Sequence, residues 1–300
     1  MRRSGVRFPS WAPYEFHLRN SSINTYRILA IRNVLQLKET VVLKLGKFEK
    51  LAQQSDWGNM RITVVMPAYE ESRGIESFVT EINQSLSEWK LTFVVIDDCS
   101  GDNTGEIAMS LNNNNIEVTV VRNQINLGHG PSTIKALQHG IQSGAEIIVA
   151  VDGDGQFLGE DIKQAINVLL QNSLEVVEGA RIFRADPLYR KIISFVTREL
   201  VARKSGIRPR DANTPLRVYQ LGALRDILSE IPVDSLTPNL LISVLVRNTS
   251  RSFSELPVRS IPRRGPNSTG ITWGKTPRQM PSLRFIRFCL RAGRQWFRLK

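Results

Sequence analysis

Two aspartates, Asp152 and Asp154, stand one glycine apart where an apolar run ends, in the stretch IIVAVDGDGQF. Acids also close two other apolar runs, YEE after ITVVMPA and DD after LTFVVI. Carboxylates held this close raise one another's pKa unless a cation or hydrogen-bond donors lie among them. Mg²⁺ meets that need, because it commonly binds one or two carboxylates together with substrate phosphates. The pair therefore predicts a metal that holds a diphosphate, with Gly153 letting the backbone approach the ligand closely.

The elements that must position these acids can be read from the periodicity that begins at Arg61. Five short runs rich in valine and isoleucine alternate with segments whose apolar residues recur at helical spacing. Such alternation predicts an α/β fold with a mostly parallel sheet and helices on both faces. In open parallel sheets, ligands bind beyond the carboxyl ends of the strands. The three acidic strand ends are therefore expected at one edge of the sheet.

Composition favours a globular cytoplasmic protein. The 300 residues are 41% hydrophobic, which is enough for a sizeable core. The sequence shows no apolar run of the length that a membrane-spanning helix needs, and no apolar core of a signal peptide. Its two cysteines, Cys99 and Cys289, do not make a disulfide framework.

The net charge of +12 is concentrated at the two ends of the chain. Residues 1–60 carry ten basic and four acidic side chains, and residues 259–300 carry eleven basic and none acidic. The remaining residues, 61–258, hold 19 basic and 24 acidic side chains. We therefore divide the chain into a basic N-terminal extension over 1–60, a globular domain over 61–258 and a basic tail over 259–300. This asymmetry indicates an anionic partner, either nucleic acid or a membrane surface.

The N-terminal extension allows two interpretations. The stretch GVRFPSWAP matches what translation of the 3′ part of a transfer-RNA gene would give, so the natural start codon is expected to lie further along. The other interpretation is a flexible basic arm.

The tail contains a cationic amphipathic pattern in SLRFIRFCLRAGRQWFRLK. Arginines at 284, 287, 291, 294 and 298 fall on one helical stripe, and apolar side chains fill the remainder. Such a helix is suited to the interface of an anionic bilayer and is too charged to span it. The alternatives are a terminal helix packed on the domain and a helix that binds a partner protein.

Six segments, in this order, resemble the family 2 glycosyltransferases of the GT-A fold: VVMPAYEES, VVIDDCSGDNT, VVRNQINLGHGPSTIKALQHGI, IIVAVDGDGQF, VEGAR and DANTPLRVY. The nearest subgroup is the polyprenyl-phosphate sugar transferases, similar to dolichol-phosphate mannose synthase. The resemblance covers roughly residues 61–265. It implies a Rossmann-like GT-A sheet and an inverting transferase that uses a nucleotide-diphosphate sugar with Mg²⁺ or Mn²⁺.

The resemblance also implies roles for individual residues. Those expected to contact the nucleotide sugar are Pro67, Tyr69, Glu70, Asp97, Asp98, Gly128, Gly130, Asp152, Arg181, Arg263 and Arg264. One of the two adjacent aspartates at 97 and 98 is expected on the base. The expected metal ligands are Asp152, Asp154 and Gln156. The residues expected to act in transfer itself are Asp154, Asp211 and Arg217, the last two on the acceptor side.

The sequence departs from the family pattern on the acceptor side. Thr214-Pro215 replaces a glycine, and the R-x-x-G-x-S loop reads RRGPNS, so either of its two arginines is a candidate counterpart. No Glu-Asp base motif is evident, and Asp234 is the one acid near its expected place. A hydroxyl acceptor needs a general base, whereas a phosphate acceptor is already ionised. The sequence therefore favours a phosphate acceptor.

Three functions remain open at this point. The first is a glycosyltransferase acting on a membrane-associated acceptor, such as a polyprenyl phosphate or another lipid, from a peripheral position on the inner face of the membrane. The second is a soluble glycosyltransferase with a small polar acceptor. The third is an inactive relative or a nucleic-acid-binding protein. The intact acidic motif and the acidic body disfavour the third, so nucleic acid is not an expected partner.

Overall fold

The computed structural model of the protein describes residues 59–113, 115–182, 187–248, 251–264 and 281–298. The predicted N-terminal extension, apart from residues 59 and 60, lies outside the described residues. The same holds for residues 265–280 of the predicted basic tail.

Seven strands of the described residues form one sheet in the order β3-β2-β1-β4-β6-β5-β7. Their bounds are β1 Arg61–Ala68, β2 Lys90–Asp97, β3 Glu117–Arg122, β4 Ile147–Ala150, β5 Val176–Ile182, β6 Arg217–Gln220 and β7 Phe253–Arg259. Strand β6 runs antiparallel to both of its neighbours, and every other neighbouring pair is parallel. The predicted mostly parallel sheet is confirmed.

Helices cover both faces of this sheet, as predicted. Their bounds are α1 Ile75–Ser85, α2 Thr104–Ser110, α3 His129–Gln142, α4 Gly159–Gln171, α5 Leu188–Ser205, α6 Leu221–Ser229, α7 Pro238–Asn248 and α8 Leu283–Arg298. One buried cluster joins α1 and α4 to the sheet, and a second joins α3, α6 and α7 to the opposite face. Because successive strand residues point to opposite faces, Val64 of β1 enters the first cluster and Val65 the second.

Strands β6 and β7 were not predicted from the sequence. Strand β6 is only four residues long and is formed by the last residues of DANTPLRVY and the glutamine that follows. It lies between β4 and β5 in the middle of the sheet. The segment before β6, residues 211–216, therefore reaches the sheet at the edge where β4 and β5 end.

Candidate active site

The acidic turn, residues 152–157, follows β4 directly and lies against the end of β1. The N–H of Gly153 donates to the carbonyl of Pro67 at 3.0 Å. A Cβ at position 153 would lie 2.9 Å from the Cβ of Ala68, so only glycine permits this approach. The Asp154 carboxylate accepts the N–H of Gln156 at 3.2 Å, which fixes the turn. Asp152 and Asp154 are thereby placed at the carboxyl edge of the sheet, as predicted from the sequence.

The carboxyl groups of Asp152, Asp154 and Glu71 lie within electrostatic reach of one another at this turn. Burial and the charge of Asp152 raise the pKa of Asp154 to about 6. Burial raises the pKa of Glu71 to about 7, with Arg263 opposing the shift and both aspartates adding to it. The charged forms of these groups repel one another, and a hard divalent cation would relieve that repulsion. The oxygen donors therefore fit Mg²⁺ or Mn²⁺.

The acidic turn does not form a closed metal cage. Within the described part of the chain, no three His, Cys, Asp or Glu side chains are grouped so that they could hold a metal ion. A cation held by Asp152 and Asp154 would therefore complete its coordination with substrate and water, as Mg²⁺ often does. The amide nitrogen of Gln156 donates to the carbonyl of Ile261 at 3.4 Å, a contact that does not use its oxygen, the atom suited to a cation.

Arg181, at the end of β5, brings positive charge to the same edge. Its Nε donates to the Asp211 carboxylate at 2.7 Å, and its Nη2 donates to the carbonyl of Asn213 at 2.9 Å. Burial opposes its charge, but Asp211, and after it Asp152 and Asp154, raise its pKa overall. Arg181 therefore lies within electrostatic reach of the acidic turn, and Asp211 orients it.

A strap, residues 261–264, crosses the acidic turn. The N–H of Ile261 donates to the carbonyl of Gln156 at 3.3 Å, and the N–H of Arg264 donates to that of Asp154 at 3.2 Å. These bonds join the chain after β7 to the turn after β4. The strap therefore forms one wall of the site.

The two arginines of the strap point in different directions. Arg264 donates to the carbonyls of Gly155 and Phe157 at 3.0 and 3.2 Å and pairs with Glu81 at 2.6 Å. Arg263 pairs instead with Glu71, next to the aspartates. Arg264 is thus an anchor of the acidic turn, and its position does not support the direct donor contact that the sequence allowed for it. Arg263 is the arginine that faces the carboxylates.

The aspartates at the end of β2 are buried and engaged within the protein. The carboxylate of Asp98 accepts the N–H groups of Leu127 and Gly128, both at 2.9 Å, and the side-chain amide of Asn123 at 2.8 Å. Asp97 is fully buried and lies 3.1 Å from Arg122. Asp98 thus holds the loop before α3 in place, and the expected contact of one of the two aspartates with a base stays a prediction.

The remaining donor-side residues lie around that loop. Tyr69 and Glu70 are half-buried at the end of β1, and Glu70 adopts a positive φ of 54°. Gly128 has a φ of 88° just before α3 begins. A Cβ at Gly130 would lie 2.2 Å from the carbonyl oxygen of Ser235, so α3 can pack against the loop between α6 and α7 only with glycine there.

Arg217 does not lie at the acceptor side, and its expected direct role there is corrected. Its side chain is fully buried in β6 and pairs with Glu178 at 2.8 Å. It also donates to the side chains of Asn239 and Ser243 at 2.9 and 2.7 Å. A fully buried and satisfied guanidinium cannot reach a substrate at the edge. Arg217 therefore holds strands and helix α7 together.

Sequence reasoning placed Glu71 at a strand end but omitted it from the expected site. The available signal was its place two residues after Tyr69, beside other strand-end acids. The sequence could not show that Arg263, 192 positions away, pairs with it.

Comparison with known proteins identifies the family to which this chain belongs. The sequence model of glycosyl transferase family 2 matches residues 63–231, more than half of the chain. The chain belongs to glycosyl transferase family 2. The resemblance stated from the sequence is thus confirmed, and this family 2 member is a glycosyltransferase.

Two relatives of this family 2 chain carry dolichol phosphate in their names. A UDP-N-acetylglucosamine–dolichyl-phosphate N-acetylglucosaminyltransferase of Methanococcus voltae is 27% identical over 221 residues, covering 67% of this chain and 85% of that protein. A dolichol-phosphate mannosyltransferase of Pyrococcus furiosus is 24% identical over 203 residues, covering 66% of this chain and 56% of that protein. The chain thus spans little more than half of the second relative.

Solved structures confirm the GT-A fold. A glucosyl-3-phosphoglycerate synthase from Mycobacterium tuberculosis, in complex with Mn²⁺, uridine diphosphate and glucosyl-3-phosphoglycerate, matches with a TM-score of 0.52 at 18% identity, covering 73% of this chain and 76% of that one. A mannosyl-3-phosphoglycerate synthase from Rubrobacter xylanophilus matches with a TM-score of 0.50 at 15% identity, covering 84% and 79%. At these identities the likeness concerns the fold alone.

Proposed function

We propose that this family 2 enzyme transfers a sugar, with inversion, from a nucleotide-diphosphate sugar to the phosphate of a polyprenyl phosphate or another membrane lipid. One observation carries the proposal. The acidic turn, Arg181 and Arg263 converge at one sheet edge, and a cationic amphipathic helix begins near that edge. The names of the two relatives, both of which act on dolichol-linked phosphates, support the same acceptor class.

On the donor side, the acidic turn suits a metal–diphosphate complex. Asp152 and Asp154, with the side-chain oxygen of Gln156, would hold Mg²⁺ or Mn²⁺. When bound, that cation stabilises negative charge on the departing diphosphate as a Lewis acid. Arg181 and Arg263 lie beside the aspartates and add fixed positive charge where the departing diphosphate develops negative charge.

On the acceptor side, the pairing of the Asp211 carboxylate with Arg181 at 2.7 Å supports a group that needs no base. A phosphate acceptor is ionised at neutral pH and attacks without losing a proton. Its oxygen forms a bond to the anomeric carbon as the bond to the diphosphate breaks on the opposite face, which inverts the sugar.

Helices α5 and α8 lie side by side and run in the same direction. Tyr189, near the start of α5, makes an edge contact with Phe285, near the start of α8, with ring centroids 5.9 Å apart. Lys204, near the end of α5, lies 4.8 Å from the ring centroid of Trp296, near the end of α8. The two helices therefore contact each other near their starts and near their ends.

This pair presents an apolar surface away from the body of the protein. The inward sides carry buried Val201 of α5 and Trp296 of α8. By helical geometry, the exposed apolar residues of α5 lie opposite Val201, and those of α8 lie between Trp296 and the arginine stripe. We name this surface the α5–α8 face, formed by Leu188, Ile192, Phe195, Val196, Leu283, Ile286, Leu290 and Phe297. Helix α8 thus has features of two of the predicted arrangements: it packs on the body through Trp296, and it leaves apolar side chains exposed.

Charge makes an anionic lipid surface the best-matched occupant of the α5–α8 face. The arginine stripe of α8 runs beside the apolar stripe, which is the arrangement of helices that lie in a bilayer interface. In the described parts of the chain, no helix has both the length and the apolar character needed to cross a membrane. Attachment through this face would therefore be peripheral.

The α5–α8 face begins near the catalytic edge. Burial and Glu70 raise the pKa of Tyr69, and Arg284 at the start of α8 opposes this shift, so Arg284 lies within electrostatic reach of the end of β1. A lipid phosphate at the membrane surface would thus lie near the acidic turn without leaving the bilayer.

The test is a transfer assay with purified full-length chain and Mn²⁺. A panel of nucleotide sugars is offered with a short-chain polyprenyl phosphate in anionic vesicles, and separately with phosphoglycerate in solution. We expect transfer to the polyprenyl phosphate and a product whose anomeric configuration is opposite to that of the donor. Transfer to the soluble acceptor alone would overturn the lipid acceptor, and retained configuration would overturn inversion.

A further inference from the structure

We propose that Glu71 is a positioning residue that holds Arg263 where the donor diphosphate binds. The inference rests on the proposed function in one respect, that the acidic turn receives a metal–diphosphate. Glu71 lies outside the residues that the sequence assigned to the site. It acts through Arg263 and does not itself bind the metal.

The pair between Glu71 and Arg263 is bidentate and buried. The Nε of Arg263 donates to Oε2 of Glu71 at 2.9 Å, and its Nη2 donates to Oε1. The side chains are only 7% and 12% exposed, respectively. Two parallel charge-assisted bonds fix the plane of the guanidinium as well as its position.

The backbone of Glu71 is itself held rigidly. Its N–H donates to the hydroxyl of Thr104 at 2.8 Å, which ties it to the start of α2. Its carbonyl accepts the N–H groups of Gly74 and Ile75 at 2.9 and 3.0 Å, which ties it to the start of α1. Glu71 is therefore a fixed point, and Arg263 is the partner whose position it determines.

The strap holds Arg263 from the other side. Arg264 is anchored to the acidic turn and lies 5.1 Å from the ring centroid of Phe78. A Cβ at Gly74 would lie 2.9 Å from the Cβ of Arg264, so the strap also packs closely against the start of α1. Because Arg264 is anchored, the backbone next to Arg263 is restrained. Glu71 in turn restrains the Arg263 side chain.

The remaining donors of Arg263 suit a phosphate. A guanidinium has five N–H donors, and Glu71 engages Nε and Nη2. For Nη1, no partner is found among the described residues, and the guanidinium lies within electrostatic reach of Asp154. Glu71 thus orients the arginine so that its third nitrogen can meet a diphosphate oxygen held at the acidic turn.

A double-mutant cycle tests the proposal, with Glu71→Gln, Arg263→Met and the double variant of the full chain. The readouts are binding of the nucleoside diphosphate in the presence of Mn²⁺, binding of Mn²⁺ alone, and turnover. We expect each single variant to weaken diphosphate binding about tenfold, the range seen when a supporting partner is lost. The double variant should bind no more weakly than Arg263→Met, and Mn²⁺ affinity should stay unchanged. Glu88→Gln, which breaks a surface pair with Lys163, is the matched control and should change nothing.

Two results would overturn the proposal while leaving the proposed function intact. One is a double variant that binds the nucleoside diphosphate more weakly than Arg263→Met alone, because Glu71 would then act independently of Arg263. The other is a loss of Mn²⁺ affinity in Glu71→Gln comparable to that in Asp154→Asn, which would make it a metal ligand. If the unmodified chain binds no nucleoside diphosphate with Mn²⁺, the proposed function fails and this inference fails with it.

Discussion

Arg217 and Glu178 form an ion pair inside the sheet, with 2.8 Å between Nε and Oε1 and at most 1% of either side chain exposed. A second arginine, Arg247, binds the other carboxylate oxygen at 2.6 Å and also contacts Glu255. Glu255 in turn accepts the N–H of Arg210 at 2.7 Å, next to Asp211 in the chain. The buried network thus supports the segment that orients Arg181.

We expect Arg217→Met to lower the free energy of unfolding by about 3–5 kcal/mol, because it removes one partner of a buried ion pair. Urea denaturation of the metal-free chain measures this, and Arg217→Lys should lose less. Activity should fall only to the extent that less of the protein is folded or that the segment around Asp211 is displaced. A fully stable variant that loses turnover would instead restore the direct acceptor role predicted from the sequence.

Asp154→Asn should lower turnover at least ~100-fold, since the metal stabilises the developing charge on the leaving group and Asp154 is its assigned ligand. The same variant should fold normally and bind Mn²⁺ weakly, as isothermal calorimetry can show. Asp161→Asn, in the first turn of α4, serves as the control. Near-normal turnover in Asp154→Asn would remove the metal role.

The metal-free chain should lose stability as pH rises from about 4 to 8. The pKa of Asp154 is raised to about 6 and that of Glu71 to about 7, so the folded state binds more protons than the unfolded state in this window. By linkage, stability then falls with rising pH through these values.

Asp154→Asn should therefore be more stable than the parent at pH 8, by about 1–3 kcal/mol. Mn²⁺ should restore stability at pH 8, because it binds only the folded state. Thermal unfolding across this pH range, with and without Mn²⁺, decides the matter, and a metal-free chain that gains stability throughout would refute it.

Asp98→Asn should disrupt the loop before α3. The carboxylate accepts two backbone N–H groups, and the amide nitrogen of asparagine would meet one of them with a second donor. We expect a loss of about 1–3 kcal/mol in stability, together with weaker nucleotide binding. Calorimetry with the nucleoside diphosphate measures the second effect. Unchanged stability with lost binding would indicate that Asp98 contacts the base directly.

The chain should sediment with anionic vesicles at low salt. Five arginines of α8 can contribute about 1 kcal/mol each near an anionic surface, and the exposed apolar side chains add burial. Because Trp296 is buried in the body, replacing surface residues is a cleaner test than deleting 282–300. Phe195→Ser combined with Phe297→Ser should reduce sedimentation with the vesicles, whereas Met109→Ser, which replaces an exposed apolar residue of α2, should not. High salt should release it only in part, since salt screens charge and not apolar contact. If the unmodified chain stays in solution beside anionic vesicles, the soluble acceptor becomes the favoured hypothesis.

The sequence was sufficient for the strands that alternate with helices, because their apolar residues repeat over whole elements. It was not sufficient for β6, where four residues include a charged Arg217 that is buried because Glu178 pairs with it and Asn239 and Ser243 accept its other N–H groups. The acidic turn could be predicted because its acids follow strands. The different contacts of Arg263 and Arg264 could not be predicted, since only the packing shows which of the two side chains faces the carboxylates.

The reversed direction of β6 sets how much change in length the chain can tolerate near the site. A parallel strand delivers the residues that follow it to the catalytic edge, as β4 does with Asp152, but β6 delivers the residues that precede it, including Asp211. Arg217 is locked in register opposite Ala150 and Glu178. An insertion between Asp211 and Arg217 would therefore displace the partner of Arg181 from the edge, while an insertion after β6 would leave that partner in place. Homologous chains should vary freely in length on one side of this strand and hardly at all on the other.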